Sequence, residues 1–158
     1  MATARLTVGV VVERRRALSP WADMLWLPVA VLPGAPALAE WAPLGENGAG
    51  ARFYAGAHEI ALHRTDTPTY RDNLATGAPR IWIAARLTNV EPPLAIAAVT
   101  ADPAEGEAWT EAGDDIVESV PMPAEIASAL AAFVAEHHVE RAFVKRRRKE
   151  WTEDPDDA

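Results

Sequence analysis

Arg5-Leu6-Thr7-Val8-Gly9-Val10-Val11-Val12-Glu13 is the stretch on which the fold turns. β-Branched residues dominate it, and it reads as a strand that starts alternating and becomes wholly apolar. Arg14-Arg15-Arg16 is expected to end that strand. Outward from it, Met24 to Leu32 predicts a second strand. Pro28 has no amide to donate, so this strand should lie at an edge or carry a bulge there. Pro33-Gly34-Ala35-Pro36 marks a turn, and Leu38 to Leu44 suggests a short third strand with Trp41 inward. Asn47-Gly48 suits a tight hairpin turn. The strand that follows, Arg52 to Arg64, places Ile60 and Leu62 on one side.

Thr67-Pro68-Thr69-Tyr70-Arg71-Asp72-Asn73-Leu74 suits a short helix capped by Thr67, with Pro68 at its first position. Arg80–Leu87 and Leu94–Thr100 read as an antiparallel hairpin around Asn89–Pro93, and Asp115–Val120 as a last short strand. After Pro121-Met122-Pro123, the apolar residues Ile126, Leu130, Phe133 and Val134 recur at helical spacing, predicting a helix to about His138. The fold class is therefore α+β. It should hold a mainly antiparallel curved sheet or partly open barrel of six to seven strands, with a short internal helix and a C-terminal helix. A pleckstrin-homology-like barrel fits by analogy alone, and a sheet with the helix on one face is the close alternative. Residues 1–138 form one domain in this reading, and residues 139–158 a charged, flexible tail.

Of the 158 residues, 49% are hydrophobic and 24% charged, a globular rather than a disordered composition. No stretch approaches the roughly 20 apolar residues that cross a bilayer. Met1–Val12 lacks the pattern of a signal peptide, so a cytoplasmic location is expected. Cysteine is absent, which excludes disulfides, thiolate metal sites and a cysteine nucleophile. The net charge is −8, and Val139–Ala158 carries six basic and six acidic residues, so the whole excess belongs to residues 1–138. An acidic body repels phosphate backbones, which disfavours nucleic acid as a general partner. The run Lys145-Arg146-Arg147-Arg148-Lys149 retains the ability to touch an anionic partner locally.

Few constellations carry chemistry. His58 and His63 are five apart and point to opposite faces of a regular strand. A metal site would need them with Asp66 or acids of the 102–118 stretch. His137 and His138 diverge by about 100° around a helix. Gly45–Gly50 lacks the Gly-Lys-Ser/Thr of a phosphate loop and reads as a hairpin turn. No serine sits in a nucleophile elbow. Asp102–Glu118 holds seven acids and no base. It reads as a solvated loop and as a docking surface for a basic partner segment. Six tryptophans are many for this length. Trp26, Trp41 and Trp82 fall in strand-like runs, whereas Trp21, Trp109 and Trp151 lie in polar contexts, where tryptophan anchors interfaces.

Several motifs taken together point further. They are Val8–Arg15 leading into Ser19-Pro20-Trp21-Ala22-Asp23, then Tyr70-Arg71-Asp72-Asn73-Leu74, Val99–Glu107, Val120-Pro121-Met122-Pro123, and Phe133–Glu140 into the basic run. The combination resembles a bacterial family known as domain of unknown function 3305, from about Arg5 to Lys149. The family has no established activity, so the resemblance carries over no catalytic residue and no cofactor. It does imply a setting, because members are often encoded beside molybdenum-dependent formate dehydrogenases and their maturation factors. The expectation is a non-catalytic accessory protein serving assembly, maturation or subunit docking of such an enzyme. The expected contacts are Trp21, Tyr70, Arg71, Asp72, Asn73, Asp102, Glu105, Glu107, Trp109 and Lys145–Lys149, since distinctive motifs in loops mark function. Two alternatives stand beside it: a metal-dependent enzyme or binder using His58, His63 and nearby carboxylates, and a nucleic-acid contact through the basic tail.

Overall fold

The valine-rich stretch forms strand β1, Ala4–Arg16, in a computed structural model that describes residues 1–16, 24–48 and 50–153, with side chains to His138. Strands β2 (Met24–Pro33), β3 (Pro43–Asn47) and β4 (Gly50–Leu62) complete an antiparallel sheet ordered β2-β1-β4-β3. A 3-10 turn (Arg64–Asp66) and helix α1 (Thr67–Ala75) lead to a second antiparallel sheet. Its strands are β5 (Arg80–Leu87), β6 (Leu94–Thr100) and β7 (Ile116–Pro121), ordered β6-β5-β7. Helix α2 (Pro103–Ala112) joins β6 to β7, and α3 (Ala124–Glu153) follows. The architecture is α+β and antiparallel, as the sequence implies, and its seven strands are shared between two sheets that do not close into a barrel.

One core lies between the sheets and under α3. Val8, Val10 and Val12 of β1 meet Ile60 and Leu62 of β4, Ile81 and Ile83 of β5, and Ile126, Leu130 and Phe133 of α3. The opposite face of β1 is covered as well, since Gly9, Val11 and Glu13 are buried. Tyr54 lies over Gly9 so closely that a β-carbon there would sit 2.5 Å from its ring. Each neighbour of β1 carries a bulge. On β2 the register skips Val29, placing Pro28 opposite Val12 on an edge strand, so both expectations for that proline hold. On β4 the register slips at Ala55-Gly56, with Gly56 at φ 99°. The slip moves the inward positions from Phe53 and Ala55 to Ile60 and Leu62, an odd-to-even switch that an unbroken strand cannot make.

Five local expectations are corrected. β1 is longer than Arg5–Glu13, since it takes in Arg14–Arg16 before it ends, with Arg16 opposite Met24 of β2. Trp41 lies in a turn at φ 68°, where its N–H donates to the Tyr54 carbonyl, so the third strand starts only at Pro43. The acidic stretch is largely helical: the Asp102 carboxylate caps α2 by accepting from Ala104 N at 2.9 Å, Pro103 opens the helix, and Gly113 ends it at φ 75°. Thr67 does not cap α1; Asp66 occupies that position, and Thr67 is buried inside the first turn. Helix α3 also runs past His138 to Glu153, through a segment without glycine or proline, so the backbone of the basic run is helical.

Gly106 lets α2 lie directly on the Trp82 ring of β5, and a β-carbon there would overlap the indole. Gly106→Ala should therefore destabilise the fold by about 1–3 kcal/mol despite the better helix propensity of alanine. A lowered midpoint in urea unfolding would show it, and an unchanged or raised midpoint would refute the packing.

Candidate functional site

Helix α1 sorts its distinctive tetrad by helical spacing. Tyr70 and Asn73, three residues apart, turn inward, while Arg71 and Asp72 face solvent. Tyr70 is 1% exposed. Its hydroxyl accepts from His63 N at 3.0 Å, and its ring meets Phe133 edge-on at 6.0 Å. Phe133 in turn packs on His137 at 4.5 Å. Asn73 ties three segments together: its amide nitrogen donates to the carbonyls of Arg80 and Ala101, and its oxygen accepts from Arg80 N. Tyr70 and Asn73 are thus interior, and the surface expected of them as contacts is absent.

Arg71 keeps its place at the surface and reaches α3, its guanidinium lying 3.0 Å from His138 Nε2. His138 Nδ1 lies 3.3 Å from the Thr67 hydroxyl, which donates to the Arg64 carbonyl. The consistent hydrogen-bond arrangement has Nδ1 donating to Thr67 and Nε2 accepting from Arg71. Thr67 is completely buried with its proton committed, so this pair is a clasp between α1 and α3 and not a nucleophile and base.

On α2, Asp102 is spent on its cap, Trp109 is half-buried, and Glu105 and Glu107 are exposed. Glu111 and Asp114 continue the exposed acidic surface. Asp115 is neutralised by Arg86 at 2.8 Å, a bond that pushes the guanidinium pKa still higher. Glu105, Glu107, Glu111 and Asp114 have no ion pair among the described residues. His58 stands on β4 and His63 at the turn before α1; no three histidines or acids among the described residues gather to hold a metal. Trp21 lies outside the described residues, as do the side chains of Lys145–Lys149.

A feature that sequence reasoning passed over lies at the far end of β1. Glu13 is 1% exposed and holds two guanidiniums, Arg15 through Oε2 at 2.5 Å and its cross-strand partner Arg52 through Oε1 at 3.1 Å. Arg14 points to the other face and lies over the Phe53 and Trp26 rings at 5.2 and 5.7 Å. The available signal was Glu13 and Arg15 at period two on a strand that continues.

Burial pushes the Tyr70 phenol up to about 12, with Asp66, Asp102 and Glu105 adding to the rise against the lowering effect of the His63 hydrogen bond. The fold favours the neutral phenol, so its contribution is intact below pH 10 and is lost as pH rises from 10 through 12. Denaturant unfolding across that range should show a fall in stability that is shallower in Tyr70→Phe. Equal slopes in the two proteins would place Tyr70 in contact with water.

Residues 7–148 match the family model described as Protein of unknown function (DUF3305). The match spans most of the chain, which therefore belongs to that family. No curated protein matches the chain, and no solved structure does.

Proposed function

We propose that this member of the DUF3305 family is a non-catalytic accessory protein that docks on a protein partner through α2 and the adjoining outer side of α1. The observation that carries the reading is the set of acids without an ion pair among the described residues on a firmly held helix: Glu105, Glu107 and Glu111 are exposed on the sides left free by Gly106, which seats α2 on Trp82. Fixed charges of one sign steer a complementary surface and select among partners. The fit is to a basic segment. Arg71 and Asp72 border this surface from α1, which packs against α2.

The partner in this reading is a subunit or maturation factor of a molybdenum-dependent formate dehydrogenase. Its support is the setting implied by the family resemblance, in which members are encoded beside such enzymes. The family description names no activity, and the Thr67–His138 pair is committed to structure. The protein therefore acts here by binding, in assembly, cofactor insertion or subunit docking.

Co-purification from the native host grown on formate tests the partner directly. Formate dehydrogenase subunits or maturation factors should be enriched with the full chain as bait, and their absence at good bait recovery would remove this reading. The surface is tested separately by Glu105→Lys combined with Glu107→Lys and Glu111→Lys. That variant should bind the recovered partner at least tenfold more weakly, about 1.4 kcal/mol or more, with the melting temperature held. Undiminished binding would move the contact off α2.

A further inference from the structure

We infer that the open end of the four-stranded sheet, where β1 finishes beside the β3–β4 hairpin, is a binding site for an oxyanion, the phosphate or carboxylate group of a ligand. A cleft of about 210 Å³ lies there, lined in part by Arg14, Arg15, Arg16, Glu46 and Gly50. Residues 1–138 hold nine basic residues, all arginine; three of them, Arg14, Arg15 and Arg16, line the cleft, and a fourth, Arg52, is tied to Arg15 through Glu13, in an otherwise acidic body.

The arginines are not consumed by one another's partners. Glu13 serves two guanidiniums at once, and Arg14 and Arg16 have no ion pair among the described residues. Among the residues that line the cleft, three arginines stand against one carboxylate, Glu46. Arg15 Nε is buried and finds no acceptor among the described residues, a donor that a ligand oxygen would satisfy. The side chains of Arg15 and Arg52 nevertheless keep 37% and 43% exposure, so solutes reach them.

The group is also held in place. Glu13 fixes Arg15 and Arg52, the aromatic rings fix Arg14, and a β-carbon at Gly50 would strike the Arg14 carbonyl, so the hairpin backbone closes tightly on β1. Guanidiniums fixed before binding lose little entropy on meeting a ligand, and their planar forks match the oxygens of phosphate and carboxylate. This site stands on a different sheet from the acidic surface of α2 and does not depend on the docking proposed for it.

Calorimetric titration of the full chain in low salt tests the inference, with pyrophosphate, inorganic phosphate and citrate as separate probes. Saturable binding of one equivalent is expected for at least one probe, weakened at least tenfold in Arg16→Ala, whose side chain is exposed and has no ion pair among the described residues. Arg16→Lys should recover only part of the affinity, because a point charge lacks the fork. Arg5→Ala, which breaks an exposed pair with Glu59, should bind as the parent does. Preference for the phosphates assigns a phosphorylated ligand, and preference for citrate a carboxylate one. No saturable binding of any probe, or equal weakening by Arg5→Ala, would overturn the site.

Discussion

Strand β1 has to be buried on both faces while pairing along both edges, and the rest of the molecule is arranged around that requirement. Its inward valines form the floor of the core under β5 and α3, and its outward residues are covered by Tyr54 and the turn at Pro36. A straight ladder cannot satisfy both sides. The bulges at Val29 and at Ala55-Gly56 let β2 and β4 bend and change which residues face inward. Glycine at position 9 gives Tyr54 its place, and glycine at position 56 provides the positive φ of the second bulge.

The same two-sided burial accounts for how charge is handled. Glu13 comes at the point where the apolar run ends and is fully enclosed, which would be costly for a lone carboxylate; two arginines on adjacent strands compensate it. Elsewhere the buried polar side chains Thr67, Asn73 and Thr100 each make at least one hydrogen bond. Asn73 joins the start of β5 to the end of β6, and Tyr70 fixes the turn before α1. Uncompensated charge is left on two separate surfaces, acidic on α2 and basic at the end of the first sheet. Fixed opposite fields on one small protein suit a chain that meets more than one charged surface.

The proposal of function by binding starts from this division. Distinctive residues of α1 split into a buried pair that holds the fold and an exposed pair beside the acidic helix. Arg71 also contacts His138, so the surface of α1 and the start of the basic half of α3 are mechanically joined. The family to which the chain belongs is described as one of unknown function, and the Thr67 hydroxyl beside His138 is engaged with the Arg64 carbonyl.

Much of the architecture was legible along the chain because it depends on neighbours in sequence. The period-two runs of β1 and β4, the β5–β6 hairpin, Pro28 at an edge and the Ile126–Leu130–Phe133 stripe of α3 all follow from local pattern. The helix at Pro103–Ala112 was legible too, from an aspartate cap, a proline and a closing glycine. Its density of acids and the internal Gly106 pointed instead to a loop, and only the Trp82 ring of another strand explains that glycine. Which members of Tyr70–Asn73 are interior, and how Arg52 joins Arg15 in neutralising Glu13, depend on contacts between segments far apart in the chain. Local pattern determines which elements form and which face of each is apolar. Burial and charge pairing at a given side chain are set by what another segment brings against it, and that becomes definite only when the sheets and helices pack.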